Sequence, residues 1–541
     1  MIIVGLYGSY NWDANDSSLD IHNAAFVHDG GCSLFIDGKH ICSINEERLT
    51  RIKYDGNYPS NSIDYCLSAA NIKKEDVDIV CSVAAHQPIA LDQLENGVAQ
   101  SMLKKSFPNA EIRFVGHHLS HAASTVFTSP FNEGSFLTFD GGGSVIHDPY
   151  RKSIDYIENN SIGFFNKEKR IFRFYNMPEN FYNNFGQLYS AASAQIYAVK
   201  TGKAVSNWND QISSVGKIMG LSAYGSDEGY ADSFTVTDHS IPYINFKSSW
   251  FDERPFSAED ASYWLQKSFE NGMIALLQKL RKYHLDGNVC FAGGTFLNIL
   301  ANTKIKQSGI FDNIHIPPFT DDAGIHLGAA LWGCFEEGED ISFPDNIALL
   351  GKEYSEEQIL NALDLFELKH RPYDSDIVSQ KIRDNKIVAW FQGRSEHGPR
   401  ALGSRSIFMS PTKAENKDLL NKRVKHREYW RPFAGIIQED KVSEYFNEGF
   451  VTPHMLYTQT VKNNRLPAIT HEDGTCRIQT MSQQDNPKVY DLLSKLDPPV
   501  VVNTSFNDNG QPIVETPYQA IKAFMSMDID TLVIGEFIVD K

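Results

Sequence analysis

Two histidines four residues apart are the first groups in this chain that could do chemistry: His117 and His121, in Gly116-His117-His118-Leu119-Ser120-His121-Ala122. On a helix both imidazoles project from one face, about one turn apart, and two neutral nitrogens so placed can grip one metal ion. Downstream, Ser135-Phe136-Leu137-Thr138-Phe139 reads as a strand that ends in the carboxylate of Asp140, and Gly141-Gly142-Gly143 follows. Taken alone, the histidine pair fits a polar helix start with ordinary surface histidines better than a metal grip. The glycine run beside a strand-end carboxylate favours a joint metal–phosphate site, because glycines let backbone approach a ligand closely.

The elements that must position these groups alternate between strand and helix. Ile2–Tyr7 reads as a buried strand, and residues 9–22 as a polar loop. Cys32–Lys39 and Ile41–Asn45 read as a hairpin about Asp37-Gly38, closed by Glu46-Glu47-Arg48. Helices are expected over Asn61–Ala70 and Ala90–Phe107, and strands over Val77–Ser82 and Ile112–Val115. That alternation predicts α/β layering. A helix starts at Phe185, and a long amphipathic one spans Ala258–His284 with Ser257 as its N-cap. Val289–Ala292 is a strand, and Gly293-Gly294-Thr295 turns from it into a helix carrying Asn298 and Asn302, an arrangement that cradles an anion or a nucleotide. Gly216-Lys217-Ile218-Met219-Gly220 reads as another glycine-bounded approach, with Lys217 placed to meet a phosphate. An acidic turn, Asp321-Asp322-Ala323-Gly324, precedes a small-residue helix over His326–Trp332. Recurrent strand–glycine–helix elements predict a duplicated nucleotide-binding fold.

At 541 residues the chain is too long for one core. The acidic, loop-like residues 338–357 mark a boundary, which gives domains 1–345 and 346–541. A net charge of −18 argues against a general nucleic-acid binder, whose footprint is basic. Within that acidic chain the second domain concentrates cations beside glycine, proline and aromatic residues: Gln392–Ser406 with Arg400, then Lys422–Phe433 with Lys425 and Arg431, then His471 and Arg477. Arginine offers a rigid fork to phosphate or carboxylate oxygens, so this mixture suits a lined anion pocket. Seven scattered cysteines without a Cys-x-x-Cys pair argue against structural zinc and for a reducing cytosol. No basic-flanked leader and no run of about 20 apolar residues is present, so the expectation is a cytoplasmic protein, not a membrane one.

In order and spacing these segments resemble the O-carbamoyltransferases of secondary metabolism, which include the tobramycin, cephem, ansamycin and nodulation-factor enzymes. The resemblance is carried by His28-Asp29, Glu46-Glu47-Arg48, Gly116-His117-His118-x-x-His121-Ala122, Asp140-Gly141-Gly142, Gly216-Lys217-Ile218-Met219-Gly220, Ala292-Gly293-Gly294 with Asn298, and Asp322-Ala323-Gly324. It continues through Gly398-Pro399-Arg400-Ala401-Leu402-Gly403, Arg431-Pro432-Phe433, Asp473-Gly474-Thr475-x-Arg477-x-Gln479 and Asn503-Thr504-Ser505-Phe506-Asn507.

The resemblance implies an actin-like ATPase domain followed by a smaller YrdC-like α/β domain. It implies a relay: carbamoyl phosphate is hydrolysed to carbamate in the second domain, ATP adenylates the carbamate at the metal site, and an acceptor alcohol takes the carbamoyl group. His117, His121, Asp140 and Asp322 would then hold the metal, with Asp321 as the rival to Asp322. The family implies Fe(II); ligand type alone also suits Mn(II), or Mg(II) arriving with ATP. Gly141, Gly142, Lys217, Gly220, Gly293, Gly294 and Asn298 would hold the nucleotide. His28, beside Asp29, would take the acceptor's proton, and Lys217 and Arg477 would also serve the chemistry. Arg400, Lys425, Arg431, His471, Arg477 and Asn503 would bind carbamoyl phosphate. Expected partners are carbamoyl phosphate, ATP and a small-molecule alcohol, for a monomer or homodimer. The chain departs from the family where Asn509 stands at an expected arginine. An actin-fold small-molecule kinase, a tRNA threonylcarbamoyladenosine-type enzyme and a non-enzymatic scaffold are the competing readings.

Overall fold

A computed structural model describes residues 1–10, 27–83, 98–143, 145–147, 155–158, 160–176, 184–230, 234–236, 244–246, 257–283 and 285–541. Most of the polar 9–22 stretch and the first half of the expected Ala90–Phe107 helix lie outside the described residues; Val98–Ser106 is helical. The chain forms two compact units: Met1–Thr50 with Tyr54–Pro344, and Arg51–Lys53 with Asp345–Lys541.

The first unit contains two five-stranded sheets of the same topology. In one, β1 (Ile2–Tyr7) pairs antiparallel with β2 (Gly31–Ile36), which pairs antiparallel with β3 (Lys39–Asn45). On its other side β1 runs parallel to β4 (Ile79–Val83), and β4 to β5 (Glu111–Phe114). In the other sheet β6 (Glu133–Phe139) takes the central place. Short hairpins β7 (Val145–His147) with β8 (Asp155–Ile157), and β11 (Phe234–Val236) with β12 (Ile244–Phe246), stand outside it. β6 pairs antiparallel with β9 (Asn160–Asn166), and that strand with β10 (Ile171–Asn176). On its other side β6 runs parallel to β13 (Asn288–Ala292), and β13 to β14 (Asn313–His315). The repeat is therefore internal: β1 and β6 occupy equivalent places. Both are buried: β1 is a near-continuous apolar run, and β6 is buried from Gly134 to Phe139.

Local rules explain the connections. The β2–β3 turn places Asp37 at φ 48 and Gly38 at φ 71, the left-handed pair that a two-residue hairpin turn needs. Glu46 ends the hairpin and caps the helix Ser60–Ala69: its carboxylate accepts from Asn61 N (3.1 Å), Asn61 Nδ2 (2.5 Å), Ser62 N (2.7 Å) and Ser62 Oγ (2.7 Å). The long helix Ala258–Tyr283 starts at the expected cap, where Ser257 Oγ accepts from Asp260 N.

Two helices decide the site geometry. Ile325–Glu337 carries Gly328, Ala329, Ala330 and Gly333, and packs against His117–Thr128. The approach is so close that a Cβ on Gly328 would lie 1.8 Å from the Ser120 carbonyl oxygen. That contact brings the turn Asp322–Gly324, which leads into the small-residue helix, up to the histidines.

The second unit is built on a mixed nine-stranded sheet. In chain order its strands are β15 (Arg371–Pro372), β16 (Val388–Phe391), β17 (Arg405–Met409), β18 (Ala434–Gln438), β19 (Thr458–Thr460), β20 (Thr475–Met481), β21 (Val500–Ser505), β22 (Thr531–Ile534) and β23 (Phe537–Asp540). Their spatial order is β15-β23-β22-β16-β17-β21-β18-β20-β19. Alternation along the strands feeds two cores: Val500, Val502, Ile437 and Ile478 face one, and Val501, Ala434, Ile436 and Phe408 the other.

Candidate metal and anion sites

The ends of the two equivalent central strands meet at one point. Asp140 directly follows β6, and Tyr7 closes β1. His117 Nε2 lies 3.1 Å from Asp140 Oδ2 and 3.6 Å from Asp322 Oδ1. His121 Nε2 lies 3.6 Å and 3.5 Å from the same two atoms. All four side chains are buried, and one donor atom from each falls within 4.8 Å of the others. Neither ring nitrogen of His121 meets hydrogen-bond geometry, although one faces both carboxylates. Among the described residues, two buried imidazoles and two carboxylates converge here, a donor set that suits a divalent ion with further positions open to oxygen ligands. The residues therefore fit a metal.

Outer contacts orient the ligands. Gly294 N donates to Asp140 Oδ1 at 2.9 Å, and the Tyr7 hydroxyl donates to Asp322 Oδ2 at 2.9 Å. His28 stands on the far side of Asp322, with Nε2 3.5 Å from Oδ2, while its Nδ1 bonds Asp29 Oδ2 at 2.8 Å. Asp29 has φ 59, and Asn45 Nδ2 donates to its carbonyl at 3.1 Å, which holds this left-handed residue in place. Burial opposes charge on His28, but Asp322 and Asp29 outweigh it and raise its pKa to about 10. Burial likewise opposes charge on His121, and Asp140 with Asp322 lift it to about 9. Asp322 is held ionised against burial by His28 and His117. Its neighbour Asp321 is pushed upward by burial, then by Asp29 and Asp322. Of the two, Asp322 joins the histidines.

The expected nucleotide residues fare unevenly. Gly293 has φ 99, and a Cβ there would lie 2.0 Å from the Phe139 carbonyl oxygen, so this crossover from β13 to the β6 end demands glycine. Gly141 and Gly142 follow Asp140 at the same place, and Asn184 Nδ2 donates to Gly141 O at 3.1 Å. Asn298 is committed elsewhere: it N-caps Ile299–Ser308, and its amide pairs reciprocally with Gln266 at 3.0 Å. The expected glycine-bounded approach at Gly216 is helix instead. Trp208–Leu221 is continuous through Gly216 and Gly220, and Lys217 Nζ lies over the Tyr197 ring, 4.4 Å from its centroid. The helix is N-capped by Asn207, carries Asp210 in its first turn and contains no proline, so propagation carries it through two isolated glycines.

In the second unit the arginines gather. Arg477 is held on β20 through its main chain, and its guanidinium makes no hydrogen bond or ion pair among the described residues. Burial, then Arg400, Arg427 and Arg431, depress its pKa well below the ordinary arginine range. Arg431 has Glu428 at 3.7 Å. Arg427, which nothing in the basic run sets apart from its neighbours, donates to Asn421 Oδ1 (3.0 Å) and Pro432 O (3.2 Å) and stacks on Phe433. Lys425 is spent differently: its ammonium donates to Ser505 O, Asn507 O and Asn507 Oδ1 at 2.7–3.0 Å, clamping the chain after β21. His471 closes a tight turn through its main chain with Thr475, just ahead of Arg477. Asn503 Nδ2 donates to Ala401 O at 2.9 Å, beside Arg400. Asn509 is exposed, and its amide donates to His426 O. Glu396, unremarked in the sequence, organises the Arg400 loop by accepting from Leu402 N, Ser404 N and Arg405 N.

A duplicated five-stranded α/β unit with a buried metal-type cluster, joined to a unit with an arginine-lined site, defines a class of two-site protein. Two family profiles match the chain, "Carbamoyltransferase N-terminus" over residues 19–96 and 83–331 and "Carbamoyltransferase C-terminus" over 379–541, and the chain belongs to this carbamoyltransferase family. Nodulation protein NolNO of Sinorhizobium fredii is 31% identical over 100% of this chain and 83% of its own length. Nodulation protein NolO of Bradyrhizobium diazoefficiens is 31% identical over 79% of each chain. Solved structures align loosely: full-length HypF in its phosphate- and nucleotide-bound form is 12% identical at a TM-score of 0.36 over 59% of this chain and 46% of its own, too loose to carry an argument. Among the described residues no helix is long and apolar enough to cross a membrane.

Proposed function

We propose that this chain is an ATP-dependent O-carbamoyltransferase acting on a hydroxyl of a small-molecule natural product. Residues 346–541, read as a YrdC-like domain, would hydrolyse carbamoyl phosphate to carbamate and phosphate. Residues 1–345, read as an actin-like ATPase domain, would condense carbamate with ATP to carbamoyl-adenylate and pyrophosphate. The acceptor hydroxyl then attacks the carbamoyl carbon, its proton leaves, and AMP departs. The observation that carries the reading is the buried His117–His121–Asp140–Asp322 cluster in a member of this family.

The residues would divide the work as follows. His117, His121, Asp140 and Asp322 would hold a divalent metal, for which Fe(II) is our first assignment and Mn(II) or Mg(II) the alternatives. When bound, such an ion would neutralise charge on phosphate oxygens and offset the carboxylate field at His28. His28, aligned by Asp29, accepts the acceptor's proton. The Gly141–Gly142 and Gly293–Gly294 backbones lie where phosphates would approach Asp140. Arg400, Arg431 and Arg477 bind the phosphate of carbamoyl phosphate as charge-assisted donors.

The test is exchange of radiolabelled pyrophosphate into ATP. Exchange that requires carbamoyl phosphate supports the proposal; transfer of the γ-phosphate to an alcohol would refute it in favour of a kinase. His117→Ala should abolish exchange and keep phosphate release from carbamoyl phosphate. Arg477→Ala should do the reverse, with partial rescue by added carbamate. Equal loss of both half-reactions in both variants would show that the two-site scheme is wrong.

A further inference from the structure

Two buried amides in the second unit have their orientation set by the protein and their oxygens left over. Gln479 Nε2 donates to Leu402 O at 2.9 Å, and Asn503 Nδ2 donates to Ala401 O at 2.9 Å. Each nitrogen must face its carbonyl, because the flipped amide would set oxygen against oxygen. The other ends, Gln479 Oε1 and Asn503 Oδ1, are buried and have no donor among the described residues; the two residues are 4% and 2% exposed. Buried acceptors without donors are costly, and such pairs mark places where a ligand supplies the missing N–H groups.

The sheet register puts both amides with the arginines. Ile436 pairs with Gln479, and Ala434 with Asn503. Ala434 and Ile436 are two apart on β18 and share a face, so Gln479 and Asn503 share it too. Arg477 lies two residues before Gln479 on β20 and so projects from that same face. The carbonyls that orient the amides directly follow Arg400. The loop's own N–H groups at Leu402, Ser404 and Arg405 are taken by Glu396, so they offer nothing to an anion. The face therefore presents guanidinium donors for phosphate oxygens and, two residues along, a pair of acceptors for N–H groups.

Carbamoyl phosphate has that pattern: a phosphate at one end and an NH2 with two donors at the other. Acetyl phosphate has nearly the same size and charge, with a methyl in place of the NH2. We propose that Gln479 and Asn503 accept the two hydrogen bonds of the carbamoyl NH2 and thereby set the preference of this site for carbamoyl over acyl phosphates. The inference rests on the assignment of carbamoyl phosphate to the second unit.

The experiment compares kcat/KM for phosphate release from carbamoyl phosphate and from acetyl phosphate, each corrected for release in buffer. A site built around an amide donor rejects an analogue lacking it by about 10²-fold or more. The wild-type chain should show at least that ratio. Gln479→Met, which keeps length and removes both polar atoms, should shrink the ratio at least about tenfold, with the loss falling on carbamoyl phosphate. A purely structural role for Gln479 predicts parallel loss on both substrates, and that result overturns the proposal. A wild-type ratio below about tenfold overturns it without any variant. Release of phosphate from neither substrate by the wild-type chain is a different failure, since it removes the carbamoyl phosphate assignment itself.

Discussion

Replacing Tyr7 by Phe tests the metal reading at a residue outside the four ligands. The Tyr7 hydroxyl is fully buried and donates to Asp322 Oδ2 at 2.9 Å. The other oxygen of that carboxylate faces His117 and His121 at 3.6 Å and 3.5 Å. The substitution deletes one oxygen and keeps the ring, whose edge contact with His117 has centroids 5.9 Å apart. What is lost is the shorter of the two contacts to Asp322 Oδ2, the other being His28 Nε2 at 3.5 Å, and with it much of the restraint on the carboxylate's rotation. Losing such an outer contact typically weakens metal binding about 10–100-fold, which is about 1.4–2.7 kcal/mol. Greater basicity of the freed carboxylate acts in the opposite direction, so the lower half of that range is the firmer expectation. The assay is titration with Mn(II), following the electron paramagnetic resonance signal of free ion. Tyr189→Phe is the control: its hydroxyl is equally buried and donates to Gln266 Oε1 at 2.7 Å. It should cost a similar hydrogen bond in stability, about 1 kcal/mol, with Mn(II) affinity intact. Equal Mn(II) affinity in wild type and a folded Tyr7→Phe variant would refute the view that Tyr7 aims a ligand carboxylate.

Three further outcomes are expected. Gly293→Ala combines φ 99 with a Cβ 2.0 Å from Phe139 O, and should destabilise the first unit by about 3 kcal/mol or more in urea unfolding. Glu46→Ala removes the carboxylate that accepts from Asn61 N and Ser62 N at the start of a helix; chemical denaturation should show a loss of about 2–4 kcal/mol, whereas Glu46→Gln should recover part of it. Arg477→Leu removes a half-buried cation whose charge is opposed by Arg400, Arg427 and Arg431, so its melting temperature should equal or exceed that of the wild type while phosphate release from carbamoyl phosphate disappears.

Much of the chain was legible because its signals are local. The apolar run of β1, the Asp37-Gly38 turn, the Ser257 cap and the Gly293-Gly294 crossover each follow from propensity, patterning or turn chemistry within a few residues. His117 and His121 share a helix face for the same reason: helical periodicity alone puts them together. The local form of the Gly216 stretch was not legible: it folds as part of a helix, and nothing in the neighbouring residues shows whether a glycine pair ends a helix or lies within one.

The sequence by itself determined which residue types were available and where the periodic elements begin and end. Only the tertiary structure decided their partners. Asp140 and Asp322 reach one histidine pair because two equivalent strands end at one place and Gly328 lets two helices touch. Tyr7 carries no chemical signal in an apolar strand, yet packing makes it the donor to a candidate ligand. Lys425 and Arg477 look alike as cations in a basic run. Folding surrounds the first with carbonyls and leaves the second with arginines. Electrostatic role depends on what lies within a few ångströms, and that neighbourhood is set by long-range packing.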